Sequence, residues 1–124
     1  MIIGTGVDIV EIERFRKAID RSRDRFITRI FTPAEQQYCS SHRDPVPHYA
    51  ARFAAKEAAF KALGTGWAKG VTWLDVEVRR EKPEAPGIVL SGEAARRFQA
   101  MGARRAHVTL SHSDNWAVAF VILE

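Results

Sequence analysis

Apolar and polar positions alternate over the first ten residues. Ile3, Val7 and Ile9 fall on one side of an extended chain, and Ile2, Gly4, Gly6, Asp8 and Val10 on the other. This alternation predicts a strand over 2–10. The period then lengthens: Ile12, Phe15, Ile19 and Phe26 recur at helical spacing, with Arg14, Lys17, Arg21 and Arg25 almost opposite, so a helix is expected over 11–25. Thr32-Pro33-Ala34-Glu35 combines an N-cap, a proline at the first helical position and an acid at the third, the signature of a capping box opening a short helix to about residue 39. Residues 40–47 are polar with two prolines and read as a loop. An alanine-rich helix follows over 48–63, stopped by Gly64. The pattern predicts a strand over 71–80, a proline-bearing turn over 81–87, a return strand over 87–91 and a short helix over 92–101. Segments 106–113 and 116–123 flank Asp114-Asn115 as a hairpin. Interspersed strands and helices with antiparallel pairing at the end give an α+β class, and the absence of repeats or linkers gives one domain over 1–124.

The chain's 124 residues are 46% hydrophobic and 27% charged. That is enough to bury one core, and it excludes a disordered tail, a collagen and a coiled-coil rod. The single cysteine, Cys39, builds neither an internal disulfide nor a thiolate cluster. No apolar run reaches the roughly 18–20 residues of a membrane helix. The opening residues also lack the pattern of a secretory signal, so a cytoplasmic setting without membrane contact is expected. A formal net charge of +4 favours an anionic partner without selecting one.

Three features go beyond ordinary globular patterning. Asp8 sits in an apolar strand beside two glycines, where a carboxylate is costly unless paired, hydrogen-bonded or bound to a metal. The glycines read as room for a ligand, and a strand end that caps the next helix is the plainer account. Glu57 and Lys61 lie one turn apart on the alanine-rich helix. A solvated ion pair explains that spacing, but the surrounding alanines and phenylalanines describe a helix buried on most sides. Two carboxylates completed by phosphate oxygens and water would suit Mg²⁺, so Asp8 and Glu57 are candidate ligands. Lys61-Ala62-Leu63-Gly64-Thr65-Gly66 is not a nucleotide P-loop, because here the glycines close a helix rather than open one. Ser111-His112-Ser113 is not a triad, since adjacent strand residues point to opposite faces.

Gly4-Thr5-Gly6-Val7-Asp8-Ile9-Val10-Glu11 with Arg14, the segment from Arg52 through Lys56-Glu57 and Lys61 to Gly66, and Leu110-Ser111-His112-Ser113 together resemble the short bacterial-type branch of the 4′-phosphopantetheinyl transferases, the holo-[acyl-carrier-protein] synthases. The resemblance runs along the whole chain in order. It implies Mg²⁺-dependent transfer of 4′-phosphopantetheine from coenzyme A to a serine of apo-acyl carrier protein, releasing adenosine 3′,5′-bisphosphate, in support of fatty acid biosynthesis. By the resemblance, Asp8 and Glu57 hold the metal, and Glu57 and Lys61 are catalytic. Arg52, Lys61, Gly64, Thr65, Gly66 and His107 contact coenzyme A, and Arg14, Lys17, Arg21 and Arg25 receive the acidic carrier protein. It also implies a homotrimer with sites between subunits. Glu57 is favoured over His112 as the base for the incoming serine. One stretch departs: where the family often carries N-x-x-G-x-P, this chain has Pro83-Glu84-Ala85-Pro86-Gly87, and only Pro86 matches. A basic nucleic-acid-binding domain would also account for the charge, but it leaves Asp8 and Glu57 without a role, so no nucleic-acid partner is expected. A carrier-binding module without catalysis is the third reading.

Overall fold

A computed structural model describes residues 1–66, 68–80 and 85–124, with the side chain of residue 23 not described. The elements in chain order are β1 (Gly4–Glu11), α1 (Ile12–Ile30), α2 (Pro33–Ser40), α3 (Val46–Leu63), β2 (Val76–Arg79), β3 (Gly87–Leu90), α4 (Gly92–Ala100), β4 (Ala106–His112) and β5 (Trp116–Leu123). Strands β1, β5 and β4 form an antiparallel sheet in that spatial order, with Asp8 opposite Ala119 and Leu110 opposite the same residue from the other side. β2 and β3 form a separate antiparallel ribbon. The expected α+β architecture, antiparallel sheet packed on a long alanine-rich helix, is what the chain adopts.

Helix α3 is the centre of the packing. Ala54, Ala55, Ala58 and Phe60 on it are fully buried, and Val76, Val121 and Leu123 pack into the same core from both sheets, while Ala50 is buried against the cluster of α1 and α2. Alanines allow that close approach. Gly4 and Gly6 complete it from β1: a Cβ on Gly6 would lie 1.9 Å from the Ala58 carbonyl oxygen, and one on Gly4 would lie 2.3 Å from that of Ala62. The space beside these glycines is therefore filled by the α3 backbone and is not ligand room, which corrects the sequence expectation.

Other boundaries move for local reasons. α1 continues to Ile30, five residues beyond the expected end, because buried Ile30 extends the stripe of Ile12 and Phe15. The capping box forms as expected: Glu35 N–H donates to Thr32 Oγ1 at 3.2 Å and Thr32 N–H to Glu35 Oε1 at 2.9 Å. α3 begins at Val46 inside the expected loop, with Pro47 tolerated in its first turn where no intrahelical donor is needed. The expected strand over 71–80 is partly a 3₁₀ turn, Trp73–Asp75, capped reciprocally by Thr72 and Asp75, so only Val76–Arg79 pairs. Of the expected 81–87 turn, residues 81–84 lie outside the described residues.

A buried ion pair ties the helices to the ribbon. Lys56 Nζ lies 2.8 Å from Glu35 Oε1, both side chains fully inaccessible, and it also donates to the carbonyls of Trp73 and Val76. Glu35 Oε2 accepts the Val78 N–H at 2.9 Å. Cys39, buried beside this group, has its thiol pushed up to about 12 by burial, as befits an inert packing residue.

Candidate active site

Antiparallel register and helix pitch bring the two acids of the sequence motifs into one cleft. β1 lies along α3, and the face of β1 that carries Gly4 and Gly6 also turns Asp8 toward the helix. Asp8 and Glu57 line a cleft of about 520 Å³ together with Glu11, Arg14, Arg21 and Phe53. Lys61, one turn beyond Glu57, crosses to β1: its Nζ lies 3.2 Å from Asp8 Oδ1 and donates to the Val7 carbonyl at 2.9 Å. Burial first, and then the charge of Asp8, raise the Glu57 carboxyl above the usual range, against the opposing pull of Lys61.

The charge of Asp8 acts against ionised Glu57, and a cation seated between the two carboxylates would relieve that repulsion. Both donors are hard carboxylate oxygens, the set Mg²⁺ takes. Among the described residues no group of three His, Cys, Asp or Glu side chains is arranged to hold a metal ion. A divalent ion here would therefore complete its shell with substrate oxygens and water.

The Gly64–Gly66 turn follows Lys61 directly. Gly64 ends α3 in the left-handed region at φ 75°, and buried Thr65 folds its hydroxyl onto the Gly66 carbonyl at 2.5 Å. Nothing lies within 4 Å of a Cβ placed on Gly64 or Gly66, so the backbone here is open to approach.

Arg52 belongs elsewhere. It lies nine residues before Lys61 on α3, roughly 13 Å along the helix axis, and lines a second cleft of about 320 Å³ with Tyr38, His48, Arg80, Pro86 and His112. The two clefts share no lining residue among those described. Arg52 is 3% exposed, its guanidinium rests 4.0 Å above the Tyr38 ring, and its Nε has no hydrogen-bond partner among the described residues. A buried cationic donor without an acceptor fits a cleft that receives an anion.

His107, expected to contact coenzyme A, lines neither of these two clefts. Its Nε2 is 3.0 Å from Glu124 Oε1 at the far end of β4, on the exposed face of the sheet. His112, five residues on and therefore on the opposite face, is the β4 histidine that lines the Arg52 cleft, together with His48 of α3. The sequence held the signal: His112 shares its face with Val108 and Leu110, which pack on the core. Arg14, Lys17, Arg21 and Arg25 are all exposed along α1, and Arg14 and Arg21 reach the rim of the Asp8 cleft.

The profile of the 4′-phosphopantetheinyl transferase superfamily matches residues 4–121. The chain belongs to that superfamily. The resemblance read from the motifs thus holds over the whole fold. A holo-[acyl-carrier-protein] synthase of Koribacter versatilis is 56% identical over 124 residues, covering all of this chain and 99% of the relative. The crystal structure of the Neisseria meningitidis holo-[acyl-carrier-protein] synthase superposes with a TM-score of 0.90 at 32% identity, over 100% of this chain and 99% of that one. The Helicobacter pylori synthase, solved in complex with coenzyme A, gives 0.85 at 31% identity over 97% and 99%. No helix of the described residues is long and apolar enough to cross a membrane.

Proposed function

We propose that the chain, as one transferase domain over 1–124, moves 4′-phosphopantetheine from coenzyme A to a serine of apo-acyl carrier protein and releases adenosine 3′,5′-bisphosphate. The observation that carries this reading is the convergence of Asp8, Glu57 and Lys61 on one cleft bordered by the basic face of α1. Phosphoryl transfer asks mainly for positioning and charge stabilisation, and this group supplies both.

Asp8 and Glu57 would hold Mg²⁺, which when bound polarises the phosphorus under attack and balances charge on the diphosphate. Lys61, released from Asp8, meets the charge that gathers on the leaving phosphate. Glu57, which lines the same cleft as Asp8, is the candidate base for the serine. His112 stands apart from these groups in the Arg52 cleft and is the weaker candidate. Arg52, with His112 and Pro86 around it, takes the phosphorylated nucleotide end of coenzyme A, and Lys61 with Gly64, Thr65 and Gly66 takes the diphosphate. Arg14, Lys17, Arg21 and Arg25 receive the acidic carrier protein, whose serine then enters beside Asp8. His107, held by Glu124, has no part in this arrangement.

The two clefts are separate within one chain, and the sheet carries an exposed apolar face: Val7, Ile9, Trp116, Val118 and Phe120 are each at least 37% exposed. A patch of that kind on a soluble domain marks an interface. We place it between copies of the chain in a homotrimer, where the nucleotide cleft of one subunit would meet the Asp8 cleft of the next. The buried free thiol of Cys39 accords with a cytoplasmic setting, and the product accords with fatty acid biosynthesis.

The test is mass spectrometry of apo-carrier protein incubated with coenzyme A, Mg²⁺ and the purified chain. A phosphopantetheine mass gain that disappears on chelation supports the assignment, and an unchanged carrier protein overturns it. Light scattering that returns the mass of one chain would remove the trimer.

A further inference from the structure

The Arg52 cleft contains a group of side chains that the transfer chemistry leaves unused. The rings of His42 and His48 lie stacked with centroids 3.6 Å apart, and His48 meets His112 edge-on at 5.3 Å. Tyr38 stands edge-on to His42 at 4.8 Å and to His48 at 6.0 Å, while carrying the Arg52 guanidinium on its face. Three imidazoles are thus gathered from the segment before α3, the first turn of α3 and the end of β4.

The charges facing His48 are almost all positive. The fixed cations are Arg52 from α3 and Arg80, which lies over the Tyr38 ring at 5.7 Å, while the rings of His42 from the preceding turn and His112 from β4 crowd His48. The one acidic contributor, Asp44, is held by the guanidinium of Arg16 through bonds of 2.8 and 3.1 Å. Burial first, and then the neighbouring rings of His42 and His112 and the Arg52 guanidinium, hold the His48 imidazole down at about 4, so it is neutral at neutral pH in the free protein. A phosphate dianion seated on the unpartnered Arg52 Nε opposes that balance, because Arg52 lies one helical turn from His48 and the ligand brings negative charge to that side of the stack.

We infer that the His42–His48–His112 stack is a proton-coupled specificity element, so that a phosphate monoester enters the Arg52 cleft together with a proton taken up by the stack. The inference rests on the reading that this cleft receives the nucleotide end of coenzyme A. Three neighbouring imidazoles share such a proton rather than charge independently. The monoester recruits it, and the same ligand without its 3′-phosphate does not. If the bound-state midpoint rises to the unperturbed histidine value of about 6.5, the dianion binds about fourfold more tightly at pH 6 than at pH 8, and because the monoester's own second ionisation lies at about 6 the observed affinity grows about twofold.

Titration calorimetry of the full chain with coenzyme A, in buffers of different ionisation enthalpy at pH 6.5, reads the proton uptake directly. Uptake should appear with the wild type, fall sharply in His48→Phe, which keeps an aromatic ring in the stack, and be absent with dephospho-coenzyme A. Equal uptake by wild type and variant, or binding with no uptake, overturns the inference while leaving the coenzyme A site standing. No binding heat at all overturns the site and the inference together. Should His48→Phe fail to fold, NMR titration of the wild-type His48 ring decides: its midpoint should move toward neutrality on adding adenosine 3′,5′-bisphosphate, and an unmoved midpoint overturns the idea.

Discussion

Lys61 Nζ lies 3.2 Å from Asp8 Oδ1, joining the last turn of α3 to β1 across 53 positions of sequence. Each side chain is held by a regular element rather than a loop, and Lys61 is anchored a second time on the Val7 carbonyl. The pair belongs to a three-group unit, because Asp8 also acts on Glu57. Replacing Asp8 by Asn therefore removes a proposed metal donor and at the same time one cause of the raised Glu57 carboxyl. Loss of an outer partner of a metal ligand costs about 10–100-fold, so loss of the ligand itself should exceed about 100-fold in kcat/KM. Removing the neighbouring negative charge favours ionised Glu57, so its carboxyl should titrate at lower pH and the acid limb of any residual activity should move the same way. Turnover measured from pH 5 to 8, with circular dichroism to confirm the fold, checks both. Full activity in the variant would end the metal assignment.

Helix–strand packing at Gly6 makes a sharper structural forecast. A methyl group there would meet the Ala58 carbonyl at 1.9 Å, and neither backbone can yield without parting β1 from α3. Gly6→Ala should cost about 3 kcal/mol or more in stability. Gly64→Ala meets no atom within 4 Å and only pays for its left-handed backbone, roughly 1–2 kcal/mol. Urea unfolding of both variants tests the contrast, and a reversed order would mean the close approach is not what these glycines serve.

Legibility in the sequence followed locality. The capping box of Thr32 and Glu35, the stop at Gly64 and the final hairpin were all readable because their causes lie within a few residues. Asp8 and Glu57 stood out as acids among apolar neighbours, yet only the fold shows that they share a cleft. His112, weighed in the sequence only as a base against Glu57, joins a cleft whose other members, Arg52 and His48, sit on another element, where no strand periodicity reaches. Lys56 enters the sequence reading only as part of the motif around Glu57. Its burial depends on Glu35, 21 positions earlier, and on the carbonyls of Val76 and of Trp73, the latter in a 3₁₀ turn that the alternation of 71–80 disguised as strand.

That buried pair has its own consequence. Lys56→Met leaves the Glu35 carboxylate without its cation in a site closed to water, and breaking a buried pair from one side costs about 3–5 kcal/mol. The double change Glu35→Gln with Lys56→Met removes both charges and should recover part of that loss. A double-mutant cycle from denaturant melts gives the coupling. Simple additivity would show that the pair contributes nothing as a pair.

Carrier-protein docking is best tested away from the metal cleft. Lys17 is exposed on the basic face of α1 and does not line the Asp8 cleft, whereas Arg14 and Arg21 do. Lys17→Glu should therefore weaken carrier-protein association, about tenfold at low salt if the reversal costs near 1.4 kcal/mol, with the Kd for coenzyme A unchanged. Exposed charges are screened over roughly 8 Å at physiological ionic strength, so wild type and variant should converge as salt is added. Carrier-protein KM followed from 20 mM to about 500 mM salt, beside calorimetry with coenzyme A, separates the two effects. An equal loss for both ligands would show that α1 supports the fold of the site rather than receiving the partner.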